Sequence, residues 1–98
     1  MQEKQIKDVF SQASKENKKI ILTDFSSEHN LYLTRMCIPL EHIPPISENG
    51  SDYYYFWDPE SDIGERIFGR TPSDIKHMEL SNESFNPNDY IVHHRNDA

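Results

Sequence analysis

Only one stretch of this chain has the period of a helix, and it comes first. Ile6, Val9, Phe10 and Ala13 fall at i, i+3, i+4 and i+7, a single apolar stripe with the neighbouring lysines turned outward. The spacing predicts a helix over residues 3–16 with one buried face. Its end is marked at Glu16-Asn17-Lys18-Lys19, where Asn17 tolerates the left-handed conformation of a helix terminus and the lysines complement the negative end of the dipole. The apolar runs after that point read as short β-branched or aromatic strands.

Ile20 to Phe25 reads as a strand, Ser26 to Asn30 as a hairpin loop, and Leu31 to Ile38 as the returning strand. Pro39, Pro44 and Pro45 each lack an N–H for a sheet ladder, so Pro39 to Ile46 is expected as an edge or an extended crossing, not as a central strand. Asn49-Gly50 supplies a turn. Tyr53 to Trp57 is the most strongly β-forming run; Asp58 to Asp62 is a polar turn, and a partner strand follows over about Glu65 to Gly69. Asp74 to Leu80 alternates, with Ile75, His77 and Glu79 on one face and Lys76, Met78 and Leu80 on the other. A last short strand is expected from Tyr90 to His93. The pattern is that of an α+β domain in which a helix precedes five to six short antiparallel strands, which close most naturally as a small barrel.

With 98 residues the chain has room for one core. We divide it as a single domain over 1–98: helix region 1–19, small barrel 20–93 and tail 94–98. Ten Lys and Arg face 17 Asp and Glu, a formal net charge of −7, and the imbalance is uneven: residues 1–19 carry +2 and the remainder −9. An acidic body repels phosphate backbones and anionic lipid, so neither duplex DNA nor a membrane is expected as a partner. The single cysteine, Cys37, has no internal disulfide partner, and no basic start leads into an apolar run of signal-peptide or membrane-spanning length. A cytoplasmic location is the expectation.

Several stretches, in order, resemble one family. Residues 6–30, IKDVFSQASKENKKIILTDFSSEHN, are similar to the opening of bacterial WYL domains, where a short helix leads through a basic step into the first strand. Arg35 to Leu40 resembles that family's Arg-x-Val-x-Pro-Leu strand, and Asp52 to Trp57 stands where its Trp-Tyr-Leu strand would be. Arg66-Ile67-Phe68, then Asp74-Ile75, then Glu83 to Pro87 resemble its Arg-x-Phe strand, its Arg-Ile turn and its closing Phe-x-Pro. The likeness runs over about residues 5–88. Tyr53 and Tyr55 replace the Trp and Leu of the naming triad, leaving Tyr54 as its one identity, and Asp74 replaces the Arg of Arg-Ile. The resemblance implies an SH3-like barrel that senses ligands, often nucleic-acid-derived, through basic and aromatic pocket residues. The helix-turn-helix that usually precedes such a domain is not expected here, and the chain reads as a stand-alone domain.

Arg35, Arg66 and Arg70 are the arginines of the body, and three rigid donor forks in an acidic chain either gather into a clamp for a carboxylate or phosphate or disperse as salt bridges to nearby acids. In the aromatic strand, Tyr53, Tyr55 and Trp57 share one face and Tyr54 and Phe56 the other; one set fills the core and the outward set offers a stacking or docking surface. The ligand-binding residues selected are Arg35, Tyr54, Arg66 and Arg70, with Tyr54 stacking where the family would stack. Asp58, Glu60 and Asp62 alternate like a calcium loop, but the glycine and the bidentate Glu are out of place, so a solvated turn is expected and no metal. Cys37 in an apolar strand reads as an inert core residue. No catalytic constellation and no cofactor motif is present.

These observations lead to a non-catalytic ligand-sensing or regulatory domain that takes a small anionic or nucleotide-like ligand. The alternative is a self-associating or protein-binding module, accessory or phage-borne, that uses an exposed strand edge or aromatic patch as a homo-oligomer or with a foreign partner.

Overall fold

The structure is a computed structural model that describes residues 1–89. The expected strand at Tyr90–His93 and the tail at 94–98 lie outside the described residues. Helix α1 spans Glu3–Glu16, and Asn17 ends it with φ 54° and ψ 45°, its N–H donating to the Ala13 carbonyl. Ile6, Phe10 and Ala13 are buried and Val9 packs beside them, so the stripe written in the sequence is the face that meets the sheet.

Five strands follow: β1 (Lys18–Ser26), β2 (Leu31–Ile43), β3 (Tyr53–Trp57), β4 (Ile67–Arg70) and β5 (Ile75–Ser84). They pair antiparallel in the order β4-β3-β2-β1-β5, with one 3₁₀ turn, Pro72–Asp74, between β4 and β5. The fold is thus α+β, an N-terminal helix and a five-stranded antiparallel sheet, in the strand order of an SH3-like barrel. It departs from the expected barrel in one respect: among the described residues the ladder does not close, and β4 and β5 are its two ends.

Strand β2 corrects the reading of the proline segment. It runs unbroken through Pro39 to Ile43 and changes partner on the way: Leu31–Cys37 pair with β1, and Ile38–Ile43 pair with β3. Pro39 is buried and central, and a register shift lies between Pro39 and Glu41. The proline is tolerated where the ladder passes from one neighbour to the other, the kind of irregular position at which a missing N–H is admitted.

β5 also departs from simple alternation. Ile75, Met78 and Ser81 are buried, three apart, because the pairing with β1 shifts register twice, between Thr23 and Asp24 for the first two and between Lys18 and Ile20 for the last. The extra residue turns Ile75 and Met78, expected on opposite faces, toward the same core. β3 extends over the expected residues, Tyr53–Trp57. Its partner begins later than expected, at Ile67, because residues 58–66 form a longer polar loop.

The core is built from Ile6, Phe10, Ala13, Ile20, Leu22, Cys37, Tyr54, Phe56, Phe68, Ile75 and Met78. Phe10 is its hub, meeting the rings of Tyr54 at 5.1 Å and Phe56 at 5.5 Å, both edge-on. Each such enclosed side chain contributes roughly 1.5–3 kcal/mol of burial, with about 0.5–1.5 kcal/mol more for well-oriented aromatic pairs. Among the described residues no helix is long and apolar enough to cross a membrane.

Candidate functional site

Ile20, Leu22, Asp24 and Ser26 alternate along β1 on its buried face, so Asp24 is a carboxylate at a core position, fully enclosed. A buried carboxylate has to be paired. Its partners come from the inward faces of β2 and β4: Arg35, in phase with Cys37, and Arg70, in phase with Phe68. Arg70 Nε donates to Asp24 Oδ2 at 2.7 Å and Arg35 Nη2 donates to the same oxygen at 3.2 Å.

Above this pair lies Glu65, from the 58–66 loop. Its Oε1 accepts from Arg35 Nη2 at 2.7 Å and from Arg70 Nη2 at 2.5 Å, and its backbone carbonyl accepts from Arg35 Nη1 at 3.4 Å. The two guanidinium groups also lie against one ring, with Arg35 3.7 Å and Arg70 4.7 Å from the Phe68 centroid. Two arginines therefore converge on two carboxylates, one sealed in the core and one at the surface of the loop.

Burial works against the Arg35 charge, but the hydrogen bond to Glu65 and the charge of Asp24 outweigh it and raise the group above its already high value. Burial likewise pushes the Glu65 carboxyl up. The hydrogen bond from Arg35 and the charge and hydrogen bond of Arg70 overcome that and hold it below the usual carboxylate range. Among the described residues, Asp24 Oδ1 and Arg35 Nε are buried without a hydrogen-bond partner, so the cluster has unused hydrogen-bonding capacity.

Of the four residues selected from sequence, the structure brings two together. Arg35 and Arg70 meet. Arg66 is exposed, ahead of β4, and its carbonyl accepts from the Asp58 N–H at 2.6 Å, so it serves the loop and not the cluster. Tyr54 faces the core, 1% exposed, stacked on His42 at 4.4 Å and 5° and edge-on to Phe10. Its burial pushes the phenol up to about 12. With its ring enclosed in this way, Tyr54 offers no face on which an outside ligand could stack, contrary to the expectation from sequence. Asp24 and Glu65 were not selected. For Asp24 the signal was available, an acid in the apolar phase of Ile20 and Leu22; for Glu65 there was none.

The outward set of β3 faces a different surface. Tyr53 and Ile67 are 46% and 43% exposed, and a groove of about 400 Å³ is lined by Leu40, Glu41, Ile43, Tyr55 and Ile67. Tyr55 lies over its cross-strand partner Gly69, where a Cβ would come within 2.7 Å of the ring. Trp57 is buried, against the alternation. Beside Arg35 a second cleft of about 310 Å³ is bordered by Asp58, Glu60 and Asp62. Among the described residues no three His, Cys, Asp or Glu side chains gather as metal ligands. Cys37 donates to the Ile20 carbonyl at 3.8 Å, and burial pushes its thiol far up, so it is a core residue and not a nucleophile.

An α+β domain with SH3-like strand order and a buried arginine–carboxylate cluster is what this chain defines. No protein-family model matches the sequence, and no curated protein matches it. Among solved structures, the fold is similar to part of Proteasome accessory factor B/C (PafBC) of Arthrobacter aurescens, with a TM-score of 0.65 and 15% sequence identity. The match covers 87% of this chain and 12% of that one, and at this identity the likeness is one of fold.

Proposed function

We propose that this protein is a non-catalytic binding domain of the regulatory kind, WYL-like in fold, that recognises a small anion through Arg35 and Arg70. The observation that carries the reading is the convergence of both guanidinium groups on the same carboxylate oxygen, Glu65 Oε1, over the Phe68 ring. Forks that hold one carboxylate in this way are built to hold a carboxylate or a phosphate. A fold neighbour named as an accessory factor is in keeping with a regulatory part. The acidic loop beside Arg35 favours a small ligand over a polyanion. The test is a titration of the chain with inorganic phosphate and with a 5′-mononucleotide at low salt, following the Arg35 and Arg70 Nε–Hε resonances. Binding that shifts both, and that Arg70→Gln removes, is expected. Saturation that leaves both resonances unmoved would count against the reading.

A second reading is favoured by the outer face of β2, β3 and β4, where Tyr53, Ile67 and the groove beside Tyr55 lie next to the open edge of β4. An exposed apolar patch beside the end strand of the described sheet suits a protein partner or a second copy.

A further inference from the structure

We infer that Glu65 is a tethered stand-in for the external anion, so that the 58–66 loop masks the Arg35–Arg70 site and uncovers it when Glu65 swings out. This rests on the arginine reading above and adds its regulation.

The charges define what the site would accept. Arg35 and Arg70 against Asp24 and Glu65 balance to zero; with Glu65 withdrawn, the two arginines and Asp24 leave one net positive charge beside the Phe68 ring. Asp24 cannot leave, being fully enclosed on β1. Glu65 can. Its side chain is 15% exposed, it belongs to a loop and not to a strand, and it follows Gly64, whose φ of +81° is a backbone conformation that glycine adopts freely. No atom lies within 4 Å of where a Gly64 side chain would begin, so this side of the hinge is open. On its other side, Arg66 is pinned to Asp58 through the 2.6 Å backbone bond. The carbonyl of Glu65 is held as well, by Arg35 Nη1 at 3.4 Å, so the part that swings is its side chain, next to the Gly64 turn.

A small carboxylate or phosphate anion matches the departing carboxylate and the positive charge it leaves uncompensated. The tethered carboxylate competes at an effective concentration in the millimolar range or above, so removing it should tighten binding of an outside anion about tenfold or more. The experiment compares wild type, Glu65→Ala and the double variant Glu65→Ala/Arg70→Gln by calorimetric titration with inorganic phosphate and with a 5′-mononucleotide. Glu65→Gln, which removes the charge and keeps the shape, takes the place of the Ala variant should that one fail to fold.

The expected result is a tenfold or larger gain in affinity for the single variant, abolished in the double. Equal binding by wild type and the single variant, lost with Arg70→Gln, would overturn the mask while leaving the arginine site standing. Binding that survives in the double variant would place the anion elsewhere and overturn the mask. No binding by any form would overturn both the mask and the arginine reading. A gain for the mononucleotide but not for phosphate would identify the base as part of the ligand, and the reverse order would identify a free anion; either gain supports the mask.

Discussion

The guanidinium carbon of Arg35 lies 3.7 Å from the centre of the Phe68 ring, so the charge cluster rests directly on the hydrophobic core. Phe68 is in turn stacked on Phe56 at 5.5 Å, which joins the ion cluster to the packing beneath α1. Polar and apolar interiors are continuous here, and disturbance of one reaches the other.

Asp24→Asn tests that continuity. It keeps the shape but leaves Arg35 and Arg70 with Glu65 as their one remaining carboxylate in the cluster, and breaking a buried ion pair typically costs about 3–5 kcal/mol. Chemical denaturation should show a loss of that order. An Asn variant as stable as wild type would remove Asp24 from the energetics of the core.

Phe10→Ala should cost about 3–5 kcal/mol, because the ring is enclosed and meets both Tyr54 and Phe56. Truncation removes the contact that fastens α1 to the sheet, and a helix of this length is marginal unless its apolar face is buried. An unchanged melting temperature would place the helix off the core.

Acid should weaken the fold partly through Glu65. Its carboxyl is held below the ordinary 4.5 in the folded chain, so the unfolded chain takes up the proton first as pH falls. The contribution is complete above the ordinary value and is lost as pH falls through the lower folded value. Asp58 works in the opposite sense, since burial raises its carboxyl. The comparison that isolates Glu65 is therefore wild type against Glu65→Gln, by urea denaturation between neutral pH and about pH 3, well below the usual carboxylate range. The gap between the two should narrow toward acid; a gap constant with pH would contradict the assignment.

The outer face predicts concentration-dependent association. Light scattering of wild type should rise above the monomer mass as concentration increases, and Tyr53→Ser with Ile67→Lys should abolish the rise while leaving stability within about 0.5 kcal/mol per site, as is usual for surface positions. A strict monomer at every concentration would exclude the homo-oligomer form of this reading.

Duplex DNA should not bind at physiological salt, since residues 20–98 carry −9 and residues 1–19 only +2. Fluorescence anisotropy with a labelled duplex is the measurement. Tight, salt-sensitive binding would place a concentrated positive surface on the chain despite its net charge.

The features legible along the chain are those that depend on near neighbours. The span of α1 and its end at Asn17, the turn at Ser47–Gly50 and the limits of β3 all follow from period, capping and turn chemistry within a few residues. Tertiary structure decided the rest. Pro39 became part of a central strand because β2 exchanges β1 for β3 there, and Ile75 and Met78 came to share a core because of a register shift against β1. The same holds for the site. Arg70 lies 46 residues from Asp24 and Arg35 lies 30 from Glu65, and nothing within either arginine's own segment distinguishes it from exposed Arg66. Sequence supplied the guanidinium groups and one acid in an apolar phase; the order of strands in the sheet selected two of the three arginines and closed them over that acid.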